Sequence, residues 1–176
     1  MLLRRTALLA AAALLAACAA DSSSVRSSVA DGAAPPGLAQ RQFERLKSLV
    51  GDWRATDEDG NAAGFSYRLT AGDSALVETL FSGTDHEMVT VYAVAGDELV
   101  LTHYCVLANQ PRMVARDTGT VDRVAFECDG GLADEAAPHM HAGELRFESR
   151  DRVASDWTMS IDGAPAEVKR FTLTRR

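Results

Sequence analysis

From Gly51 to the end of the chain, apolar residues recur with a period of two. Phe65, Tyr67 and Leu69 alternate with Ser66, Arg68 and Thr70, and Leu145 and Phe147 alternate with Glu144, Arg146 and Glu148. In a strand, successive side chains point to opposite faces, so this pattern belongs to half-buried β-structure. Apolar, β-branched runs over 89–94 and 99–107 flank Ala95-Gly96-Asp97, and Asp117-Thr118-Gly119, Arg150-Asp151 and Asp162-Gly163 mark further turns. The spacing predicts about ten strands, near 52–57, 64–70, 75–82, 87–95, 98–107, 111–117, 121–128, 141–149, 152–160 and 166–175. Their short connections favour pairing between neighbours in sequence, an antiparallel meander.

Only one segment has helical periodicity. Over 38–50, Phe43, Leu46, Leu49 and Val50 fall on one face and Arg41, Glu44, Arg45 and Lys47 elsewhere, and Gly51 ends the helix. One short helix cannot cover an open sheet of this size. The expected fold is therefore mainly β, a ten-stranded antiparallel meander closed into a barrel that leaves no free edge, with one short N-terminal helix; a β-sandwich is the alternative. A barrel of this size has room for a small ligand.

The N-terminus reads as an address. Arg4 and Arg5 precede an uncharged Leu- and Ala-rich run from Thr6 to Ala17, too short to span a bilayer. Leu15-Ala16-Ala17-Cys18 resembles the bacterial lipobox. That resemblance implies cleavage after residue 17, acyl chains on Cys18, and a membrane anchor made stable by several chains together. Ala19 and Ala20 stand where an inner-membrane retention signal resembles Cys-Asp, which points to the periplasmic face of the outer membrane. Residues 18–37, rich in Ser, Ala, Asp, Pro and Gly, read as a tether. The expected organisation is a signal peptide over 1–17, a lipidated Cys and tether over 18–37, and a barrel domain over 38–176.

Charge narrows the partners. The whole chain carries a formal charge of −7, and loss of Arg4 and Arg5 leaves 16 basic against 25 acidic side chains, a net of −9. Nucleic-acid binding needs a basic surface and is not expected. An acidic body would hang from its tether rather than lie on anionic lipid.

Gly51-Asp52-Trp53 lies where the helix gives way to the first strand. Gly-x-Trp at this place resembles the lipocalin/calycin superfamily. The resemblance implies that the helix closes one barrel end, that Trp53 packs across it, and that an Arg from a late strand, Arg170 or Arg175, stacks on the indole. Lipocalins have eight strands, and fatty-acid-binding proteins have a helical pair between their first two strands that is absent here. The nearest shape is the nitrobindin-like ten-strand barrel. The stretches 101–105 and 109–113 also look like those of uncharacterised bacterial lipocalin-like proteins. Nitrobindin-like barrels hold haem through a His near the chain end. The last strand here has none, and His141 is the only nearby substitute.

The residues that could carry chemistry permit several readings. His86, His103, His139 and His141 could be satisfied core or rim residues. Alternatively, a small, partly apolar ligand would occupy the barrel, bound without chemistry, with Trp53, His103, Tyr104, Arg112, His141 and Trp157 as contacts. Tyr67 and Phe171 would help to line the cavity, and Arg112 could grip a carboxylate. His141 shares parity with Leu145 and Phe147 and is expected to point inward. A third reading gathers His103, Cys105, His139 and His141, with Met113 or Met140, around zinc or copper. A barrel filled by its own side chains would instead be an envelope structural or interaction module. Glu78, in an apolar strand, would have a raised pKa facing inward, or would pair with Arg68 or His86 across the sheet. Ser82, Asp85 and His86 lack a nucleophile elbow or oxyanion pattern, and no enzyme activity is expected. Cys105 and Cys128 are expected as free thiols, because strands two apart lie ~9.5 Å from each other, too far for a disulfide.

Overall fold

A computed structural model of the chain describes residues 35–176. The signal peptide, Cys18 and all but the last three residues of the tether lie outside the described residues. Helix α1 (Leu38–Lys47) is followed by ten strands: β1 (Gly51–Asp57), β2 (Ala62–Thr70), β3 (Ala75–Leu80), β4 (Met88–Ala95), β5 (Glu98–Tyr104), β6 (Arg112–Arg116), β7 (Arg123–Gly130), β8 (His139–Ser149), β9 (Arg152–Ile161) and β10 (Ala164–Arg175). Each strand pairs antiparallel with its neighbour in sequence, and β1 pairs with β10, so the sheet closes on itself. The closing register runs from Trp53 opposite Arg175 to Asp57 opposite Phe171. Closure leaves no strand with an unpaired edge.

Most strand ends fall within two residues of the periodicity, and three boundary differences have a clear physical cause. The helix ends at Lys47 rather than Val50. Ser48, Leu49 and Val50 form a tight turn, which drops Leu49 into the core and aims its carbonyl at Trp53 Nε1, 2.6 Å away. Strand β5 ends at Tyr104, not Leu107, because Cys105 N–H bonds back to Asn109 O at 3.1 Å and closes a loop. Val106 and Leu107, read as strand, are exposed on that loop. Strand β7 starts two residues late, since Thr118 Oγ1 donates to Arg123 O at 2.6 Å and holds 118–122 as a turn. Gln42 of α1, itself buried, donates to Thr120 O and Arg123 O and pins the helix to that turn.

The helix end of the barrel is solid. Leu46, Leu49, Trp53, Leu99 and Leu173 are each 1% exposed or less. The Arg175 guanidinium lies 4.3 Å from the centre of the Trp53 ring and donates to Ser48 O and Val50 O, carbonyls left free at the end of the helix. Of the two arginines expected to stack on the indole, the fold selects Arg175; Arg170 pairs with Glu58 on the outer surface.

Candidate functional site

At the barrel's centre, midway between its ends, the core turns polar. Glu78 is fully buried and accepts hydrogen bonds from the Tyr67 and Tyr92 hydroxyls, each at 2.6 Å. It faces inward and pairs with neither Arg68 nor His86. Burial raises its carboxyl above the ordinary range, against the Tyr67, Tyr92 and Thr90 hydroxyls that bond to it. Burial, followed by the nearby Glu78 charge, pushes both tyrosines well up, so they stay neutral donors.

Thr90 links this cluster to His103. Its Oγ1 lies 2.9 Å from His103 Nδ1. A threonine hydroxyl has one proton to give. With that proton directed to Glu78, the Thr90 oxygen would accept from His103 Nδ1–H and leave Nε2 as a bare acceptor. That Nε2 is buried and has no hydrogen-bond partner. Burial lowers the His103 pKa to about 4, so the ring is neutral at physiological pH.

Beyond His103 the barrel opens. A cavity of about 350 Å³ lies at the end opposite α1, with His103, Trp157, Met88, Met140, Met159 and Phe171 among its walls. Asp57 and Lys169 also border it. Its volume falls in the usual range of small-molecule sites. The Trp157 indole stacks on His103 with ring centres 6.2 Å apart and planes 25° apart. Gly143, opposite Trp157 across the β8–β9 ladder, makes room for that indole: a Cβ there would lie 2.6 Å from Trp157 Cε3 and closer still to Cζ3. Trp157 Nε1 donates to the buried Ser155 hydroxyl at 2.8 Å, which fixes the ring's edge. An apolar cleft continues from the mouth past Phe81 to His86.

The sequence-derived contacts separate by position. His103 and Trp157 line the cavity. Trp53 closes the opposite end. Tyr104 has the opposite parity to His103 and is half exposed on the outer wall. Arg112 ion-pairs with Asp129 and lies near Glu98. His141 is not on the cavity wall: β8 carries a bulge between Met140 and Ala142 that breaks the parity linking it to Leu145. It lies instead beside His139 and Cys128. The expected gathering of His103, Cys105, His139 and His141 is therefore split between two places. Ser82, Asp85 and His86 are exposed in the β3–β4 loop. Cys105 and Cys128 are free thiols.

Sequence reasoning left Glu78 open and did not single out Thr90 or Met88. Thr90 was legible, since it shares strand parity with Tyr92. No protein-family model matches the chain, and no curated protein matches its sequence.

Proposed function

We propose that the barrel binds a small, largely apolar molecule carrying one hydrogen-bond donor, without transforming it. One observation carries this reading: the buried, unpartnered Nε2 of His103 on the wall of a largely apolar cavity that Asp57 and Lys169 also border. An unmet buried acceptor is costly, and a ligand N–H or O–H would satisfy it. The half-filled interior supports a binder over a wholly filled structural barrel. The lipobox-like ending at Cys18 supports a lipid anchor at the outer membrane's periplasmic face, and the Gly51-Asp52-Trp53 corner with Arg175 on the indole supports kinship with calycins.

The same Nε2 favours a second reading, an axial bond to haem iron. His103 suits the role by its unpartnered Nε2 and largely apolar surroundings, although it stands on β5 rather than near the chain end.

The test uses the purified full-length chain and N-phenyl-1-naphthylamine, an apolar fluorophore with a single N–H. Saturable 1:1 uptake is expected, weakened by His103→Leu and abolished by Met88→Trp, which fills the cavity. No uptake, or uptake that Met88→Trp leaves intact, would overturn the reading. Absorbance of the same preparation decides the haem alternative by the presence of a Soret band.

A further inference from the structure

A second cluster lies under the β7–β8 loop, apart from the barrel cavity. The donor atoms of Cys128, His139 and His141 all lie within 4.8 Å of one another. His139 Nε2 and His141 Nδ1 are 3.2 Å apart. Two imidazole nitrogens on a tetrahedral zinc ion, each bonded at 2.0–2.1 Å, stand about 3.3 Å from each other. The ring nitrogens thus already have the separation that such an ion requires.

The proton arrangement suits a metal. His139 is 3% exposed, and its Nδ1 lies 2.8 Å from Ala137 O. A carbonyl only accepts, so Nδ1 carries the proton and Nε2 presents a lone pair. A backbone carbonyl on the far nitrogen is the usual way a ligating histidine is oriented. In the metal-free protein, His141 Nδ1–H must then donate to His139 Nε2.

The backbone builds this arrangement. The β8 bulge places His141 as the extra residue and turns it away from the barrel interior. The loop above is held at both ends. Gly131, at φ +80°, packs so closely that a Cβ would lie 2.6 Å from Gln110 O. Asn109 Nδ2 donates to Pro138 O at 2.8 Å. A space of about 440 Å³ opens beside the cluster, bordered also by Asp129, Glu135 and Ser160. Asp129 is engaged by Arg112, so a water, or Glu135, is left to complete the coordination. Met140 faces the barrel cavity, so among the described residues Cys128 offers the one sulfur at this cluster. One thiolate with two imidazoles suits zinc better than Cu(I), which favours more sulfur.

We propose that Cys128, His139 and His141 form a zinc site with three protein ligands and a fourth position open to the loop-covered space. On binding, Cys128 releases its thiol proton to solvent. The His141 proton passes from Nδ1 to Nε2, so the ring stays neutral and Nδ1 takes the metal. This site is independent of the ligand reading for the barrel cavity.

The test is titration of the reduced, purified full-length chain with Zn²⁺ and with Co²⁺. One saturating equivalent is expected, and the Co²⁺ form should show the visible bands of a tetrahedral ion with a near-ultraviolet thiolate band. Cys128→Ser should abolish the thiolate band. His141→Gln, at a half-buried position that keeps the fold, should weaken Zn²⁺ binding by about tenfold to a hundredfold. Cys105→Ser and His103→Gln should change neither. Unsaturable uptake, a thiolate band surviving Cys128→Ser, or a loss caused by Cys105→Ser or His103→Gln instead would overturn the site.

Discussion

Thr90 Oγ1 and His103 Nδ1, 2.9 Å apart on adjacent strands, join a buried carboxylate cluster to the wall of an apolar cavity. That contact turns Nδ1 of His103 toward Thr90 and leaves Nε2 without a protein partner, while Glu78 itself is not among the cavity's walls.

The first prediction concerns pH. His103 titrates near 4 when folded and near 6.5 when unfolded. Between these values the unfolded chain binds the extra proton, so stability is kept above pH 6.5 and falls as pH drops toward 4. The full difference corresponds to about 3 kcal/mol. Glu78 acts in the opposite sense, because its folded pKa is raised. The His103 contribution is therefore read as the difference between wild type and His103→Gln in urea melts across this range. The variant should lose less stability on acidification; parallel curves would contradict the assignment.

Tyr92→Phe should cost about 1–3 kcal/mol, because it leaves a buried Glu78 oxygen without its donor. In a Glu78→Leu background the same change should cost well under half as much. Chemical denaturation of the four proteins gives the coupling directly. Equal costs in both backgrounds would mean that Tyr92 acts by packing alone.

Arg175 and Arg170 should behave differently despite lying on one strand. Arg175→Lys keeps the charge but loses the fork that reaches Ser48 O and Val50 O while covering Trp53. It should cost about 1–2 kcal/mol. Arg170→Lys touches an exposed pair with Glu58 and a loose 3.9 Å contact with half-buried Asp156, and should cost below about 0.5 kcal/mol. Thermal melts followed by tryptophan fluorescence distinguish them.

Gly143→Ala should push the Trp157 indole into the cavity and cost about 1–3 kcal/mol through overpacking. Uptake of N-phenyl-1-naphthylamine should fall with it. A variant that binds the probe as wild type does would show that Trp157 has room to move elsewhere.

The barrel itself was legible. A period of two from Gly51 onward, broken only by short turns, fixes strand number and order. One helix cannot protect an open edge, which favours a closed barrel over the sandwich alternative, and β1 pairs with β10 to close it. The sequence left Arg170 and Arg175 as equal candidates to stack on Trp53; closure of β1 on β10, with Trp53 opposite Arg175, chose between them. Parity placed His103 and Trp157 on inner faces.

Parity fails where a strand gains a residue. His141 was assigned to the interior by its spacing from Leu145, and the bulge beside it cancels that spacing without any mark in the local sequence. Nor does a one-dimensional pattern say which inward residues meet. Glu78 finds Tyr67 and Tyr92 through strand register, and Cys128 finds His139 and His141 across the β7–β8 ladder, where Glu127 lies opposite Ala142 and the bulge follows. Side-chain alternation is a local property of the chain, set by its own pleat and readable residue by residue. Convergence across the barrel depends on register, bulges and closure, which arise only when all ten strands pack at once.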